Sequence, residues 1–100
     1  VLQWMSIDVK ENMKKNKALQ IIDVREPSEF SSGHIPGAIN IPLGQLTSRY
    51  KEIDPNRETA VVCLSGGRSS RACEFLQSVG YNQLHNVMGG MSSWDGPVER

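Results

Sequence analysis

Thr59-Ala60-Val61-Val62-Cys63-Leu64-Ser65-Gly66-Gly67-Arg68-Ser69 is the stretch that decides how this chain is read. Thr59 to Val62 form a short, continuous run of small and branched side chains, the type of strand buried on both faces of a parallel sheet. The run leads straight into Cys63 and a glycine-containing loop, and a helix is expected from about Ser69. Ala72, Phe75, Leu76 and Val79 stand at i, i+3, i+4 and i+7, so one helix face is apolar. Arg71, Glu74 and Gln77 fall on the other face, and Gly80 is a natural C-terminal stop.

The same alternation of strand and helix extends in both directions. Trp4-Met5-Ser6-Ile7 reads as a short first strand. Asp8 then caps a helix, with Glu11 three residues on completing a capping-box pattern. Leu19 to Val24 is a strand rich in branched residues. Pro27 suits the first turn of a short helix that ends near Gly33. Ala38 to Ile41 is a further strand, Leu43 to Ile53 a helix, and Asp54-Pro55-Asn56 a turn. Gln83 to Val87 gives the last strand, and Met88-Gly89-Gly90 leads to a short helix near Trp94. This order implies an α/β fold with a mostly parallel central sheet and helices on both faces. No repeat, low-complexity tract or linker interrupts it, so residues 1–100 read as one domain.

Composition narrows the function classes. Among 100 residues, 38% are hydrophobic and 22% charged, the balance of a folded globular chain. Eleven basic residues offset eleven acidic ones, so no overall field favours nucleic acid or an anionic membrane. No apolar run approaches the roughly 20 residues needed to cross a bilayer. Two cysteines without a secretory signal suit a reducing, cytosolic setting. There a cysteine is more often catalytic or structural than disulfide-bonded.

The loop concentrates the chemistry. In open α/β sheets, ligands bind beyond the carboxyl ends of strands. Glycines let Leu64-Ser65-Gly66-Gly67 curl so that successive N–H groups turn inward as an anion-binding nest. The helix N-terminus at Ser69 adds partial positive charge, and Arg68 can add a full one. Cys63 would sit at the base of this cradle. Helix N-termini and cations lower a thiol from about 8.5 to roughly 3.5–7.5. A fall of about two pKa units needs roughly 2.7 kcal/mol of preferential stabilisation of the thiolate. The competing reading, a buried inert thiol ending a strand, is the commoner fate of an isolated cysteine. The Gly-Gly-Arg loop and its helix tip the balance toward a nucleophile.

These residues resemble the rhodanese family over nearly the whole chain. Ile22-Asp23-Val24-Arg25-Glu26-Pro27-Ser28-Glu29-Phe30 and Gly33-His34-Ile35-Pro36-Gly37-Ala38-Ile39-Asn40-Ile41-Pro42 are similar to its first signature. Cys63 to Ser69 resembles its active-site loop. Gly80-Tyr81, Gly89-Gly90-Met91 and Trp94 resemble its closing pattern. The resemblance implies a three-layer rhodanese-like fold and a sulfurtransferase reaction. Cys63 would take sulfane sulfur from a small anionic donor such as thiosulfate, hold it as a persulfide, and pass it to cyanide, a thiol or a protein acceptor. No metal or organic cofactor is implied. Phosphatase relatives place five residues between cysteine and arginine, whereas four separate Cys63 from Arg68 here. A cysteine phosphatase or arsenate reductase is therefore the weaker alternative, and a non-catalytic binding module is another. Leu64 departs from the basic residue that many thiosulfate-using members carry after the cysteine. That lowers the expected efficiency with thiosulfate, not the persulfide chemistry.

Other polar residues are weighed against structural roles. Asp23 and Arg25, at the end of the second strand, could support the loop, but Arg25 fastening the next segment through Glu29 is preferred. Cys73 could act as a resolving thiol, but a packing role on the helix is preferred. His34 and His85 lack metal-ligand spacing. Arg49 and Arg71 read as solvated charge, and Trp94 as an anchor for the last short helix.

Overall fold

Four-residue strands are too short to hold together by pairing alone, so these must be stabilised by burial on both faces. The computed structural model, which describes residues 2–100, shows this arrangement. The strands are β1 (Leu2–Trp4), β2 (Gln20–Asp23), β3 (Ile39–Asn40), β4 (Thr59–Val62) and β5 (Leu84–Val87). They form one sheet in the order β1-β5-β4-β2-β3, and every pairing is parallel. The three central strands β2, β4 and β5 are buried at every position, which explains their unbroken runs. The helices are α1 (Ser6–Lys15), α2 (Pro27–Ser31), α3 (Leu46–Arg49) and α4 (Gly67–Ser78).

Alternate strand residues feed two cores. Ile22, Val61 and Leu84 pack with Leu46, Ile53, Ala72 and Leu76 on one face. Ile21, Ala60, Val62 and Val87 pack with Val9, Ile35, Trp4 and Met13 on the other. Each fully buried aliphatic side chain stabilises the fold by roughly 1.5–3 kcal/mol relative to exposure, so two cores outweigh the weak intrinsic stability of such short strands. Among the described residues, no helix is long and apolar enough to cross a membrane.

Four boundaries differ from the sequence reading, each for a local reason. The first strand lies at Leu2–Trp4 rather than over residues 4–7. Met5 is the extended residue that opens α1, and Asp8 accepts its N–H from the third helical position at 2.8 Å. Residues 43–53 are not one helix but a 3-10 turn, the short α3, and a second 3-10 turn at Tyr50–Glu52. Gly44 is a poor helix former, and the Ser48 hydroxyl competes for the Gln45 carbonyl at 3.0 Å. The Tyr81 hydroxyl then lies 2.8 Å from Tyr50 O and 2.6 Å from Ile53 O, drawing the last turn away from regular winding. Finally, α4 starts at Gly67, two residues early, and its buried stripe is Ser69, Ala72, Cys73 and Leu76. Val79 is left 39% exposed, because α4 ends at Ser78 and Val79 is its C-cap, with backbone angles that have already left the helix.

Candidate active site

Cys63 follows β4, at the carboxyl edge of the sheet, and starts the turn into α4. Gly66 carries φ +111°, a left-handed conformation that glycine adopts without strain, and it opens the helix. This kink directs the Gly66 N–H at the Cys63 Sγ, 3.0 Å away. The Ser69 hydroxyl lies 3.4 Å from the same sulfur. Burial pushes the Cys63 thiol up, but hydrogen bonds from the Ser69 hydroxyl and from the Ser69, Gly66 and Ser65 N–H groups outweigh it. The net result is a thiol held below its usual range. Cys63 is 1% exposed, so its sulfur is almost closed to solvent.

A second segment fixes the loop from behind. The Met91 N–H donates to Cys63 O and the Ser92 N–H to Leu64 O, both at 2.8 Å. In a trans peptide unit, C=O and the following N–H point in opposite directions. Pinning the Leu64 carbonyl outward therefore aims the Ser65 N–H inward. Gly90 permits the contact: a Cβ there would lie 2.2 Å from Cys63 O and 2.7 Å from Leu64 O. The Gly89-Gly90 pair stood in the sequence, but its target in the Cys63 loop could not be read from spacing.

Charge is distributed differently from the expectation. The Arg68 guanidinium donates to both carboxylate oxygens of Glu29, at 2.7 and 2.9 Å. Arg68 first, and the Glu26 N–H second, hold the Glu29 carboxyl down at about 2. The cation thus arrives paired rather than free for an anion. Leu64, next to Cys63 in the loop, is 44% exposed.

Arg25 does not fasten Glu29. It binds Asp23 through Nε at 3.0 Å and Nη2 at 2.8 Å, and Nη2 also donates to Gly33 O at 2.8 Å. Asn40 Nδ2 bridges the carbonyls of Asp23 and Arg25, at 2.9 Å each. The pair is buried and satisfied by its own neighbourhood, and no hydrogen bond joins it to the Cys63 loop among the described residues.

The remaining residues fall into scaffolding. Both cysteines are free. Burial pushes the Cys73 thiol up to about 11. His34 stacks on Phe30 with ring centres 3.7 Å apart and shares Nδ1 with Phe30 O at 2.8 Å. His85 stacks on Trp4 at 3.7 Å and meets Glu58 through Nε2 at 2.8 Å. Arg49 pairs with Glu52, and Trp94 packs on the second core while its N–H donates to Pro97 O. Sequence reasoning missed Asn86, which accepts from the Ser69 hydroxyl. The available signal was an amide side chain in the middle of a buried strand.

Comparisons with known proteins bear on the family and the fold. A family model described as the rhodanese-like domain matches residues 6–96. A putative sulfur carrier protein of Bacillus subtilis, YrkF, is 38% identical over 90% of this chain and 49% of its own length. The putative sulfurtransferase YtwF of the same organism is 36% identical over 91% of this chain and 87% of its own. The crystal structure of a rhodanese-related protein from Thermoplasma volcanium superposes with TM-score 0.90 at 37% identity, covering 99% of this chain and 98% of that one. The chain spans about half the length of the first of these relatives.

Proposed function

The chain belongs to the rhodanese-like domain family, and on that premise we propose that it is a sulfurtransferase carrying sulfane sulfur as a persulfide on Cys63. The carrying observation is the Gly66 N–H at 3.0 Å from the Cys63 sulfur, in a loop whose carbonyls are tied outward. Amides aimed at one sulfur stabilise negative charge there, both on the thiolate and on the terminal sulfur of a persulfide. The names of the relatives, a sulfurtransferase and a sulfur carrier, support the same reading.

The reaction is a two-step displacement with a covalent intermediate. The Cys63 thiolate attacks the sulfane sulfur of a donor, the donor's S–S bond breaks, and its electron pair leaves with the departing group. From thiosulfate the leaving group is sulfite. From a thiol persulfide it is the thiolate. In the second step an acceptor thiolate or cyanide attacks the outer sulfur and returns Cys63 as thiolate. Thiolate chemistry of this kind calls for reducing surroundings, in keeping with the cytosolic setting read from the cysteines.

The charge arrangement favours one donor class. Arg68 is bound to Glu29, and the residue next to Cys63 is the exposed Leu64. A dianion gains little from a neutral ion pair and an isobutyl group, whereas a thiol persulfide needs only the amides and an apolar approach. We therefore rank thiol persulfides above thiosulfate as donors.

Intact-mass measurement after incubation with polysulfide, glutathione persulfide and thiosulfate tests the proposal. One added sulfur on the parent protein and none on Cys63→Ser is the expected result, with the persulfide donors loading faster. No adduct from any donor would overturn the reading.

A further inference from the structure

Behind Cys63 runs a line of hydrogen bonds that ends at the edge of the sheet. The Ser69 hydroxyl, fully buried, donates to Asn86 Oδ1. Asn86, on β5 and 5% exposed, donates from Nδ2 to Gln3 Oε1 at 2.9 Å. Gln3 and Asn86 are directly registered across the β1–β5 pair, and Gln3 is exposed. The line therefore joins solvent to the sulfur in three links: Gln3 to Asn86, Asn86 to Ser69, Ser69 to Cys63.

The Ser69 hydroxyl has one proton and several claimants. Gly66 O lies 3.1 Å away, Asn86 Oδ1 closer still, and Cys63 Sγ at 3.4 Å. While Cys63 is a thiol, its S–H donates to Ser69 Oγ and Ser69 is free to donate to Asn86. Once the S–H proton has left to water, the sulfur is an acceptor only. The Ser69 proton is then needed at the sulfur, and two acceptors, Ser69 Oγ and Asn86 Oδ1, face each other. Turning the Asn86 amide over removes the conflict. Its Nδ2 then donates to Ser69 Oγ, and its Oδ1 accepts from the likewise turned Gln3 amide. A primary amide places O and N in the same two positions after such a turn, so no heavy atom has to move. An Asn can serve both senses; an acceptor-only or donor-only group can serve one.

We propose that Asn86 is a positioning residue for the Cys63 thiolate, acting through Ser69, and that Gln3 sets the sense of the Asn86 amide from the sheet edge. The inference rests on the reading of Cys63 as a working nucleophile. Charged groups face the sulfur from other directions and leave this line alone. Arg68 on α4 is held by Glu29 of α2, with Glu26 beside them. Asp23 and Arg25, beyond β2, bind each other. His85 lies on the opposite face of β5 and binds Glu58.

The exposed end of the line gives the test. Gln3→Glu offers only acceptors, which holds Asn86 Nδ2 outward and leaves Oδ1 toward Ser69, the sense that opposes the thiolate. Gln3→Lys offers only donors and imposes the opposite sense. The readout is the pH dependence of Cys63 alkylation by iodoacetamide, which needs no sulfur transfer. The midpoint should rise in Gln3→Glu and fall in Gln3→Lys, changing the rate below the midpoint by roughly threefold in each direction. Both shifts should collapse when Asn86→Leu is added, because the link is cut while the charges stay where they were. Asn86→Val serves instead where circular dichroism shows that Asn86→Leu does not fold. Superimposable profiles in the parent background, or shifts that persist undiminished without Asn86, would overturn the proposal. Either result leaves the persulfide measurement standing on its own, and a failed persulfide measurement leaves this one readable.

Discussion

Two cysteines of this chain are equally buried and chemically opposite. Cys63 and Cys73 are each 1% exposed, and each belongs to the same core cluster. Yet Cys63 is held below the usual thiol range while Cys73 is pushed up to about 11. Burial acts in the same direction on both, against the charged form. What differs is the backbone around them. At the end of β4, amides that have no helical or strand partner are free to point at the sulfur. In the middle of α4, every nearby N–H is committed to a carbonyl one turn back, so Cys73 meets only desolvation. A thiol held low here is a property of where regular structure stops.

The widest separation of the two should appear in alkylation. At pH 7, a thiol at about 11 is ionised in about one molecule in ten thousand. Peptide mapping after brief iodoacetamide treatment should find Cys63 modified at least about a hundredfold faster than Cys73, because a thiol held anywhere below its usual range is at least that much more ionised than one at about 11. Denaturant should abolish the difference. Comparable labelling of both sites in the folded protein would dissolve the contrast.

Next in size is the clamp behind the loop. Gly90→Ala puts a methyl group 2.2 Å from Cys63 O, against backbone that cannot swing aside. The Met91 and Ser92 donors must withdraw, and the Ser65 N–H loses its aim. Overpacking of this kind costs about 1–3 kcal/mol. Cys63 alkylation at pH 7 should slow as the thiol moves back toward its usual value, while Cys73 stays inert. A variant with parent-like Cys63 reactivity would show that the amide cradle does not depend on this contact.

These differences mark what could be read from sequence. Strands β2, β4 and β5 were legible because burial on both faces leaves continuous apolar runs. Cys63, its glycines and the following helix were legible because strand, turn and helix signals fall within eleven residues of one another. Ion-pair partners were not. Arg25 has Asp23 at i−2 and Glu29 at i+4, and both are plausible on paper. Only the packing of α2 beside the loop assigns Glu29 to Arg68 and leaves Arg25 with Asp23. The clamp from Gly90 and the bond from Asn86 to Ser69 join residues far apart in sequence, where no periodicity carries a signal. The split of residues 43–53 was hidden for the same reason, since Tyr81 imposes it from the far side of α4.

The smallest effect concerns stability rather than rate, and it sharpens the comparison through pH. Cys73→Ala removes one buried sulfur and should cost about 1 kcal/mol at pH 7, with sulfur loading unchanged. A group whose folded value is raised contributes stability that is complete below its unfolded value and lost as pH rises through the folded one. For Cys73 that window runs from the usual value near 9 to about 11, and the full loss is about 3 kcal/mol. Cys63, held low, has the opposite sign: its contribution is present above the unfolded value and lost as pH falls through the lowered one. Above pH 9 the alkaline loss therefore belongs to Cys73. Urea unfolding of parent and Cys73→Ala at pH 7, 9 and 10.5 should show the parent's advantage shrinking and then reversing, with tyrosine titration common to both chains. A constant difference across that range would mean that Cys73 ionises as easily folded as unfolded, and that its burial carries no electrostatic penalty.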